Sequence, residues 1–448
     1  MTASAGRGIL RPISRGVFFA SLFAYVLLRL WLASLPGYEV DVNQYKEWAL
    51  GSGLMGFPAI YEVTSADYPP LSLVAFYGVG SAFVAFQPPF ESGEIPVGIV
   101  PTFLIKLPHL IFDLLIGGLL IWLVGRLGLW GANRRGEGWG RLAACLYWWN
   151  PAVLFGSAYW GQFDSLHTFL ALVAIAALGA DRMALAGGAL AAASLSKPLA
   201  APLVPFLAIT ALLRRGLSGF MTAGVAGLAV AVLVFSPFWL TGRLLPVLER
   251  VLGDVDAMPY TSANAHNLWW WIGPWQDASA LWLGPLSARE IGIGLFLLVY
   301  LAMLLRTHQW LRSATGVEYR AGLFVVAAAV ISSFFFLSTH MHENHLFLAL
   351  PLLLAVAGRN RRLAALAALC TLAVFLNEFL HDVEWPYRLP GVRAETTLRV
   401  DPHLGRPYTV FQLVGSYANS GFTALLWVGM LREVWILGRA PARDQSPA

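Results

Sequence analysis

Two acid-containing motifs lie in the polar interval that follows the first apolar segment of the chain. Asp41 stands in the sequence DVN and Asp67 in the sequence DYPP. A carboxylate at a membrane surface can take the proton of a hydroxyl nucleophile as that hydroxyl attacks an activated carbon. Asp41 is therefore the candidate catalytic base. The alternative is an ordinary hydrated loop acid, which is what most acids near helix ends are.

Asp67 and Tyr68 directly precede a proline pair, which suits the start of a helix because the N–H that proline lacks would be unbonded there. Our hypothesis assigns Asp67 and Tyr68 to substrate binding. The alternative for Asp67 is a cap that accepts hydrogen bonds from the backbone amides of the following helix, and capping is the simpler interpretation.

A cluster of three imidazoles and one carboxylate, HMHENH, lies at residues 340–345 beside the end of an apolar segment. We expect His340, His342 and Glu343 to contribute to substrate binding, with His342 contacting a phosphate. A zinc site is not favoured, because the cluster lacks the i, i+4 histidine pair of helical zinc hydrolases. A polar turn without function is the remaining alternative.

Gln162 and Asp164 interrupt an apolar hairpin, in the sequence WGQFDS. Both side chains are costly to bury unless they form hydrogen bonds, so they are candidate substrate-binding residues. The alternative is the polar tip of a hairpin. A face shared by Lys106, His109 and Asp113 predicts a structural ion pair instead.

Two cations lie inside apolar stretches. A lysine at the centre of a membrane helix costs roughly 2.5–3.5 kcal/mol, so Lys197 should pair with Asp113, Asp164 or a phosphate. The alternative is a cation that snorkels at the helix break made by the next proline. Arg29, late in the first helix, either reaches for the interface or faces a lipid phosphate.

The composition around these motifs is that of a membrane protein. Hydrophobic residues make up 58% of the 448 residues and charged residues 12%, and the mean hydropathy is +0.64. A helix needs roughly 20 apolar residues to cross the hydrocarbon layer. We therefore predict an all-α polytopic protein with about 10–13 transmembrane helices in a single integral-membrane domain, residues 1–448.

The positive charge lies mostly in short connectors between apolar runs, and such connectors mark the cytoplasmic side of a membrane. This distribution excludes nucleic acid as the natural partner. The arginines before residue 16 resemble a signal peptide, but the apolar run continues to Leu35 without a small-residue cleavage site. We predict a retained first helix and a cytoplasmic N-terminus.

Residues 36–70 are predicted to form a first, catalytic outer loop, residues 241–285 a second outer loop, and residues 441–448 a disordered tail. One conflict arises between the loops and the charges. With Asp67 outside and Arg134 inside, an odd number of crossings must separate them, yet the apolar runs show two. The sequence leaves open whether residues 96–107 hold a short or re-entrant piece or the arginines break the charge rule.

The order of these motifs resembles the GT-C superfamily of polyprenyl-phosphate-sugar-dependent glycosyltransferases. The chain is most similar to the bacterial and archaeal mannosyltransferase-like group, with kinship to the dolichyl-phosphate-glucose glucosyltransferases of N-glycan assembly. The resemblance covers about Arg29 to Pro351. The motifs that carry it, in order, are Asp41, the DYPP sequence at 67–70, Asn150-Pro151, the WGQFD sequence at 160–164, Lys197-Pro198 and His342-Glu343.

The resemblance implies a GT-C fold and an inverting transfer of a hexose, mannose or glucose, on the non-cytoplasmic face. Asp41 would be the general base, and His342 would contact the donor phosphate, with Arg29 or Lys197 nearby. The implied partners are a polyprenyl-phosphate sugar donor, a glycan or glycolipid acceptor and the lipid bilayer. High alanine, leucine and glycine content favours a prokaryotic plasma membrane.

Two departures from the family pattern bear on the site. The group often has TRMHERY where this chain has THMHENH at residues 339–345, so two arginines that contact the donor are replaced. The first loop has DVN rather than two acids spaced by one residue, so no cofactor is expected and a divalent metal is not favoured.

Two other functions fit parts of the pattern. A lipid or glycolipid flippase would also place polar residues inside the membrane, and it should show inverted repeats, which the sequence does not display. An oligosaccharide ligase would use the same helices with a pyrophosphate donor.

Overall fold

The computed structural model describes residues 11–86, 95–253, 258–381 and 408–438. The described residues are 77% helical, and six of the described helices are long and apolar enough to cross a membrane. The predicted all-α polytopic architecture is confirmed, and the protein is an integral membrane protein. The predicted tail, residues 441–448, and part of the second loop, residues 254–257, lie outside the described residues.

The described residues contain seventeen α-helices. In chain order they are α1 (Arg15–Ser34), α2 (Glu39–Met55), α3 (Ile60–Val63), α4 (Pro70–Phe86), α5 (Ile99–Leu120), α6 (Glu137–Trp148), α7 (Pro151–Val153), α8 (Ser165–Gly179), α9 (Met183–Ser194), α10 (Leu203–Leu240), α11 (Leu244–Gly253), α12 (Leu268–Ile272), α13 (Ala288–Leu311), α14 (Gly316–Leu337), α15 (Ala349–Leu354), α16 (Arg361–His381) and α17 (Val410–Ile436).

Wider and tighter helical turns extend several of these helices. Two π-helical segments, Ile121–Arg126 and Leu154–Trp160, continue α5 and α7. Short 3-10 turns are Phe57–Ala59, Ala132–Arg134, Pro198–Ala200 and Ala357–Arg359. The four strands of the described residues are β1 (Ser262–Ala263), β2 (Leu281–Leu283), β3 (Leu286–Ser287) and β4 (Met341–His342).

The core of the protein is built around α14, which is buried on nearly all sides. The helix α1, by contrast, has one buried face and one exposed apolar face, as expected for a helix at a lipid boundary. Its buried side chains are Phe18, Tyr25, Arg29 and Ala33. Because these recur at helical spacing, α1 packs along one stripe.

The first predicted loop, residues 36–70, contains the helix α2. This helix packs against α4 so closely that a Cβ atom on Gly80 would lie 1.7 Å from the carbonyl oxygen of Ala49. Leu73 and Phe83, at opposite ends of α4, belong to one apolar cluster with Trp48 of α2. The helix α4 therefore lies along α2 and stays at the end of the protein that contains Asp41.

The helix α5 then runs from this end to the opposite one. Near its start, Lys106 donates to the carbonyl oxygens of Leu35, at 2.9 Å, and Tyr159, at 2.6 Å. Near its far end, Gly125 accepts a hydrogen bond from the amide of Gly136. One long helix, not two, thus separates Asp67 from Arg134. One of the two apolar runs counted as crossings between Asp67 and Arg134 is α4, and counting it as a crossing was wrong. With α5 as the crossing, Asp67 and Arg134 lie on opposite sides, as their charges require.

The basic connectors meet at the end of the bundle opposite to Asp41, which we term the basic end. Arg134 donates to the carbonyl oxygen of Gly358, and Arg359 pairs with Glu318. Arg320 donates to the carbonyl oxygen of Gly179, at the far end of α8 from Asp164. Arginines from distant connectors are therefore gathered on one face.

The second predicted loop, residues 241–285, contains α11, α12 and two of the short strands. The strand β1 pairs in parallel with β4, so that Ser262 lies opposite Met341 and Ala263 opposite His342. This pairing brings the second loop against the histidine cluster. The helix α10 has a kink at Gly216, where φ is +64° and the backbone is not helical.

Candidate active site

Asp41 lies in the first turn of α2, where two donors hold one oxygen of its carboxylate. The indole Nε1 of Trp160 donates to Oδ2 at 2.8 Å, and the amide Nε2 of Gln162 donates to the same atom at 2.5 Å. Asp41 is partly exposed. Because both donors bind Oδ2, Oδ1 is the oxygen that can accept a proton from outside the network.

Gln162 joins Asp41 to a buried ion pair. Its Oε1 accepts from Asn344 Nδ2 at 2.7 Å, and the same Asn344 nitrogen donates to Asp164 Oδ2 at 2.9 Å. The other oxygen of Asp164 accepts from Lys197 Nζ at 2.7 Å. Of the three partners predicted for Lys197, Asp164 is the one that the structure shows. A continuous polar network runs from Asp41 to Lys197.

Tyr68 and Asp67 border this network. Tyr68 and Tyr45 share a hydrogen bond of 3.1 Å between their hydroxyl groups, and Tyr45 also donates to Gln162 Oε1 at 3.4 Å. The ring of Tyr68 lies 5.2 Å from Lys197 Nζ. Asp67 is close enough to raise the pKa of Asp41 electrostatically. Asp67 and Tyr68, the first two residues of the DYPP motif, thus border the network that contains Asp41.

The hairpin tip that carries Trp160 and Gln162 is fixed through its backbone. The amides of Gly161 and Gln162 both donate to the carbonyl oxygen of Gly156, which closes the π-helical segment. Gly161 has φ +98°, a left-handed conformation that favours glycine. His109 Nε2 lies 2.6 Å from the Gly161 carbonyl oxygen, and Lys106 binds the carbonyl oxygen of Tyr159. These contacts hold the backbone of the hairpin tip on both sides of Trp160 and at Gln162.

The expected ion pair among Lys106, His109 and Asp113 is wrong, because the first two bind carbonyl oxygens of the hairpin tip. Asp113 instead pairs with Arg29 at 2.8 Å, and both are almost fully buried. Ser157 donates to Asp113 at 2.5 Å and accepts from Arg29 at 2.6 Å.

The buried position of Arg29 contradicts its predicted contact with a lipid phosphate. The guanidinium group is 2% exposed, and Asp113, Ser157 and the carbonyl oxygen of Val153 occupy its donors. It also does not reach the interface. Arg29 is a structural residue that ties α1 to α5 and to the π-helical segment.

The histidine cluster divides between two environments. His340 Nε2 lies 3.0 Å from Arg289, and its Nδ1 lies 2.9 Å from Thr339. His342 is partly exposed and its ring packs 5.0 Å from that of His345. The structure thus places His340 against α13, whereas Asn344 bonds to the network that contains Asp41.

Glu343 is buried and stands close enough to Asp41 for the two carboxyl groups to affect each other. Burial is the largest cause that raises the pKa of Glu343 to about 8, and the Asp41 charge adds to it. Asn377 Nδ2 donates to the Glu343 carbonyl oxygen and fixes this part of the chain. Glu343 is therefore mainly a neutral acid near pH 7.

Asp41 has the pKa expected of a base that works near neutral pH. Burial raises the pKa of Asp41 to about 6, the Trp160 hydrogen bond and Lys197 lower it, and Asp67 and Asp164 raise it further. Burial acts to lower the pKa of Lys197, but Asp164 and Tyr68 more than offset it, so that the pKa is raised. Lys197 thus stays charged and Asp41 can exchange a proton.

Sequence reasoning missed four residues of the network: Tyr45, Trp160, Asn344 and Asn377. Trp160 and Asn344 stand inside the two motifs already noted, so a search for side-chain donors within those motifs would have found them. Tyr45 and Asn377 lie in helices whose apolar spacing gives no sign of a polar role. Only their contacts reveal them.

No group of three or more histidine, cysteine or carboxylate side chains that could hold a metal ion occurs in the described parts of the chain. Metal independence stays a prediction. No protein-family model matches the chain, and no curated protein matches it either.

Proposed function

We propose that this protein is an inverting glycosyltransferase that moves a hexose from a polyprenyl-phosphate donor to a hydroxyl of a glycan or glycolipid acceptor. The observation that supports it best is the carboxylate of Asp41. One oxygen is held by Trp160 and Gln162, and the other can take a proton. A positioned carboxylate with a pKa of about 6 suits general-base catalysis near neutral pH.

In the proposed reaction, the acceptor hydroxyl would bond to C1 of the hexose from the face opposite to the phosphate. The bond between C1 and the phosphate oxygen would break, and its electron pair would leave with polyprenyl phosphate. Asp41 would take the hydroxyl proton. Attack from the opposite face inverts the configuration at C1.

The leaving phosphate needs a partner for its growing negative charge. His342 is the predicted residue best placed for this contact, because it is partly exposed and stands next to Glu343. Glu343 in its neutral form would donate a hydrogen bond to a phosphate or sugar oxygen. Lys197 would act indirectly, since its ammonium group is already bound to Asp164.

The basic end supports an active site on the outer face of the membrane, with a cytoplasmic N-terminus. Cytoplasmic connectors carry an excess of Lys and Arg. Arg134, Arg320 and Arg359 gather opposite to Asp41. Nucleotide sugars are absent outside the cytoplasm, so a lipid-linked donor fits this placement.

A flippase or transporter would need Asp41 less than the intramembrane Lys197. The contacts of Lys197 favour the enzyme, because Asp164, Asn344 and Gln162 connect it to Asp41. Because Lys197 belongs to the network around Asp41, its position in an apolar stretch is explained without a transport pathway.

The test is transfer of labelled hexose by the purified full-length protein from synthetic polyprenyl-phosphate mannose and glucose, with glycolipid acceptors. Asp41→Asn is compared with Glu62→Gln, since Glu62 is an exposed acid that pairs with the exposed Arg243. We expect a loss of roughly 100- to 10,000-fold in Asp41→Asn and none in the control.

Other outcomes have distinct meanings. Transfer that survives in Asp41→Asn would remove Asp41 as the base. Turnover only with a pyrophosphate-linked donor would identify a ligase. No transfer with any donor, together with movement of the lipid across vesicle membranes, would identify a flippase. Retained configuration at C1 would contradict the inverting mechanism.

A further inference from the structure

A groove of about 360 Å³ lies at the basic end, far from Asp41. It is formed between α1, α6 and the π-helical segment that follows α5. Four of its eight lining residues are charged and four are apolar. Its lining residues are Arg15, Phe18, Phe19, Ile121, Gly125, Arg126, Glu137 and Arg141.

The charged half of the groove has an excess of positive charge. Arg15 and Arg141 both approach Glu137 Oε2, at 3.4 Å and 3.1 Å. Arg126 adds a third, exposed guanidinium group at the end of the π-helical segment. Three guanidinium groups against one carboxylate leave a net charge of +2. The groove can therefore accept an anionic group that bonds with several arginine donors at once.

One of the three arginines is held in place without a ligand. Arg141 is fixed by the carbonyl oxygen of Ile13, at 3.0 Å, as well as by Glu137. Arg15 has its side chain 76% exposed, so it can turn toward an anion without breaking a buried contact. The arrangement combines one fixed donor with flexible ones.

The apolar half of the groove continues along α1. Phe18 is buried against Trp148, with ring centroids 5.7 Å apart, whereas Phe19 is 61% exposed. The exposed side chains of Phe23 and Leu27 extend the same helix surface away from the arginines. A ligand in this groove would meet positive charge at one end and hydrocarbon along the other.

We propose that this groove binds an anionic phospholipid, with the phosphate among the arginines and an acyl chain along Phe19 and α1. The protein is an integral membrane protein, so phospholipid surrounds this surface at high concentration. Free phosphate would use only the charged half. The apolar wall is the feature that selects a lipid rather than a soluble anion.

The test measures binding of phosphatidylglycerol to the full-length protein in detergent by native mass spectrometry, with phosphatidylcholine of the same chains for comparison. Arg15→Gln/Arg126→Gln removes the flexible donors. Arg182→Gln/Arg312→Gln is the matched control, because both residues are exposed and lie beside connectors of the basic end. Size-exclusion profiles confirm that every variant is folded.

We expect phosphatidylglycerol to bind more tightly than phosphatidylcholine. Arg15→Gln/Arg126→Gln should weaken it about thirtyfold, because each basic side chain near an anionic lipid contributes roughly fivefold. The control should leave the affinity unchanged. Phe19→Ala should weaken the long-chain lipid but not a phosphatidylglycerol with short, water-soluble chains.

Three results would overturn the proposal. One is equal weakening by both double variants, which would show a general charge effect of the basic end. Another is equal binding of the two lipids. The third is competition by inorganic phosphate as effective as that by the lipid, which would show that the groove takes a free anion.

Discussion

Gln162 donates a hydrogen bond of 2.5 Å to Asp41, although 121 residues separate the two in the chain. The same side chain accepts from Asn344, so one amide fixes the candidate base to the cluster that contains Glu343. Asp41 is thus positioned by two distant segments and not by its own loop.

Gln162→Leu should lower kcat by about 10- to 100-fold, because a lost hydrogen bond to a charged group costs roughly 1.5–3 kcal/mol. Gln276→Leu is the matched control, since its exposed amide bonds only the nearby carbonyl oxygen of Pro274. The measurement is steady-state transfer at saturating donor. Unchanged kcat in Gln162→Leu would show that Asp41 needs no support from this amide.

Activity should rise with pH through about 6, because the base must be ionised and the pKa of Asp41 is raised to about 6. Trp160→Phe should move this limb to higher pH, since the Trp160 hydrogen bond lowers the pKa of Asp41.

The contribution of Asp41 to the free energy of unfolding should change with pH in the opposite sense to activity. The folded state binds the Asp41 proton more tightly than the unfolded chain, so this contribution is lost as pH rises from about 4 through about 6.

Both effects are measured as pH profiles of transfer and of unfolding temperature, with Asp41→Asn as the reference that lacks the titrating group. An acid limb that stays in place in Trp160→Phe would assign the inflection to another residue.

A second limb should appear at higher pH, where activity falls through about 8 as Glu343 loses its proton. Glu343→Gln should abolish this fall and keep most of the activity at pH 7, because glutamine keeps a hydrogen-bond donor and cannot ionise. Profiles of both proteins from pH 5 to about 9.5 are compared. If Glu343→Gln is inactive throughout, the ionised form is the working one.

Lys197→Met should destabilise the protein by roughly 3–5 kcal/mol, because it leaves the Asp164 carboxylate buried without its counter-charge. Asp164→Asn/Lys197→Met should recover much of this loss. The control is Arg243→Gln, which breaks an exposed pair with Glu62 and should change stability little. Unfolding is measured in detergent by heat. A double variant no more stable than Lys197→Met would contradict the pairing.

Gly80→Ala should destabilise the protein and displace α2 with Asp41, because the new Cβ would lie 1.7 Å from the Ala49 carbonyl oxygen. Gly78→Ala is the matched control in the same helix, where a Cβ meets nothing within 4 Å. It should be neutral or slightly stabilising, as alanine favours a helix. Unfolding temperature and transfer rate are compared, and equal behaviour of the two variants would contradict the close packing of α2 on α4.

The sequence by itself determined the class of the protein and some of the residues of the network. Hydrophobic content and run length predict a polytopic helical protein because the hydrocarbon layer sets the length of each span. Polar residues such as Gln162, Asp164 and Lys197 stood out because they are costly among apolar neighbours. That cost predicts partners, and Asp164 was among those expected for Lys197.

The tertiary structure decided which of the possible partners meet. Helical spacing placed Lys106 and Asp113 on one face, but packing of α1 brought Arg29 to Asp113 and left Lys106 to backbone carbonyl oxygens. The apolar helix α4 has the composition of a membrane-spanning segment. It nevertheless lies along α2, because Gly80 has no side chain and allows a close approach to Ala49. Composition fixes the cost of burying a group, whereas only the packing of distant helices fixes which group compensates it.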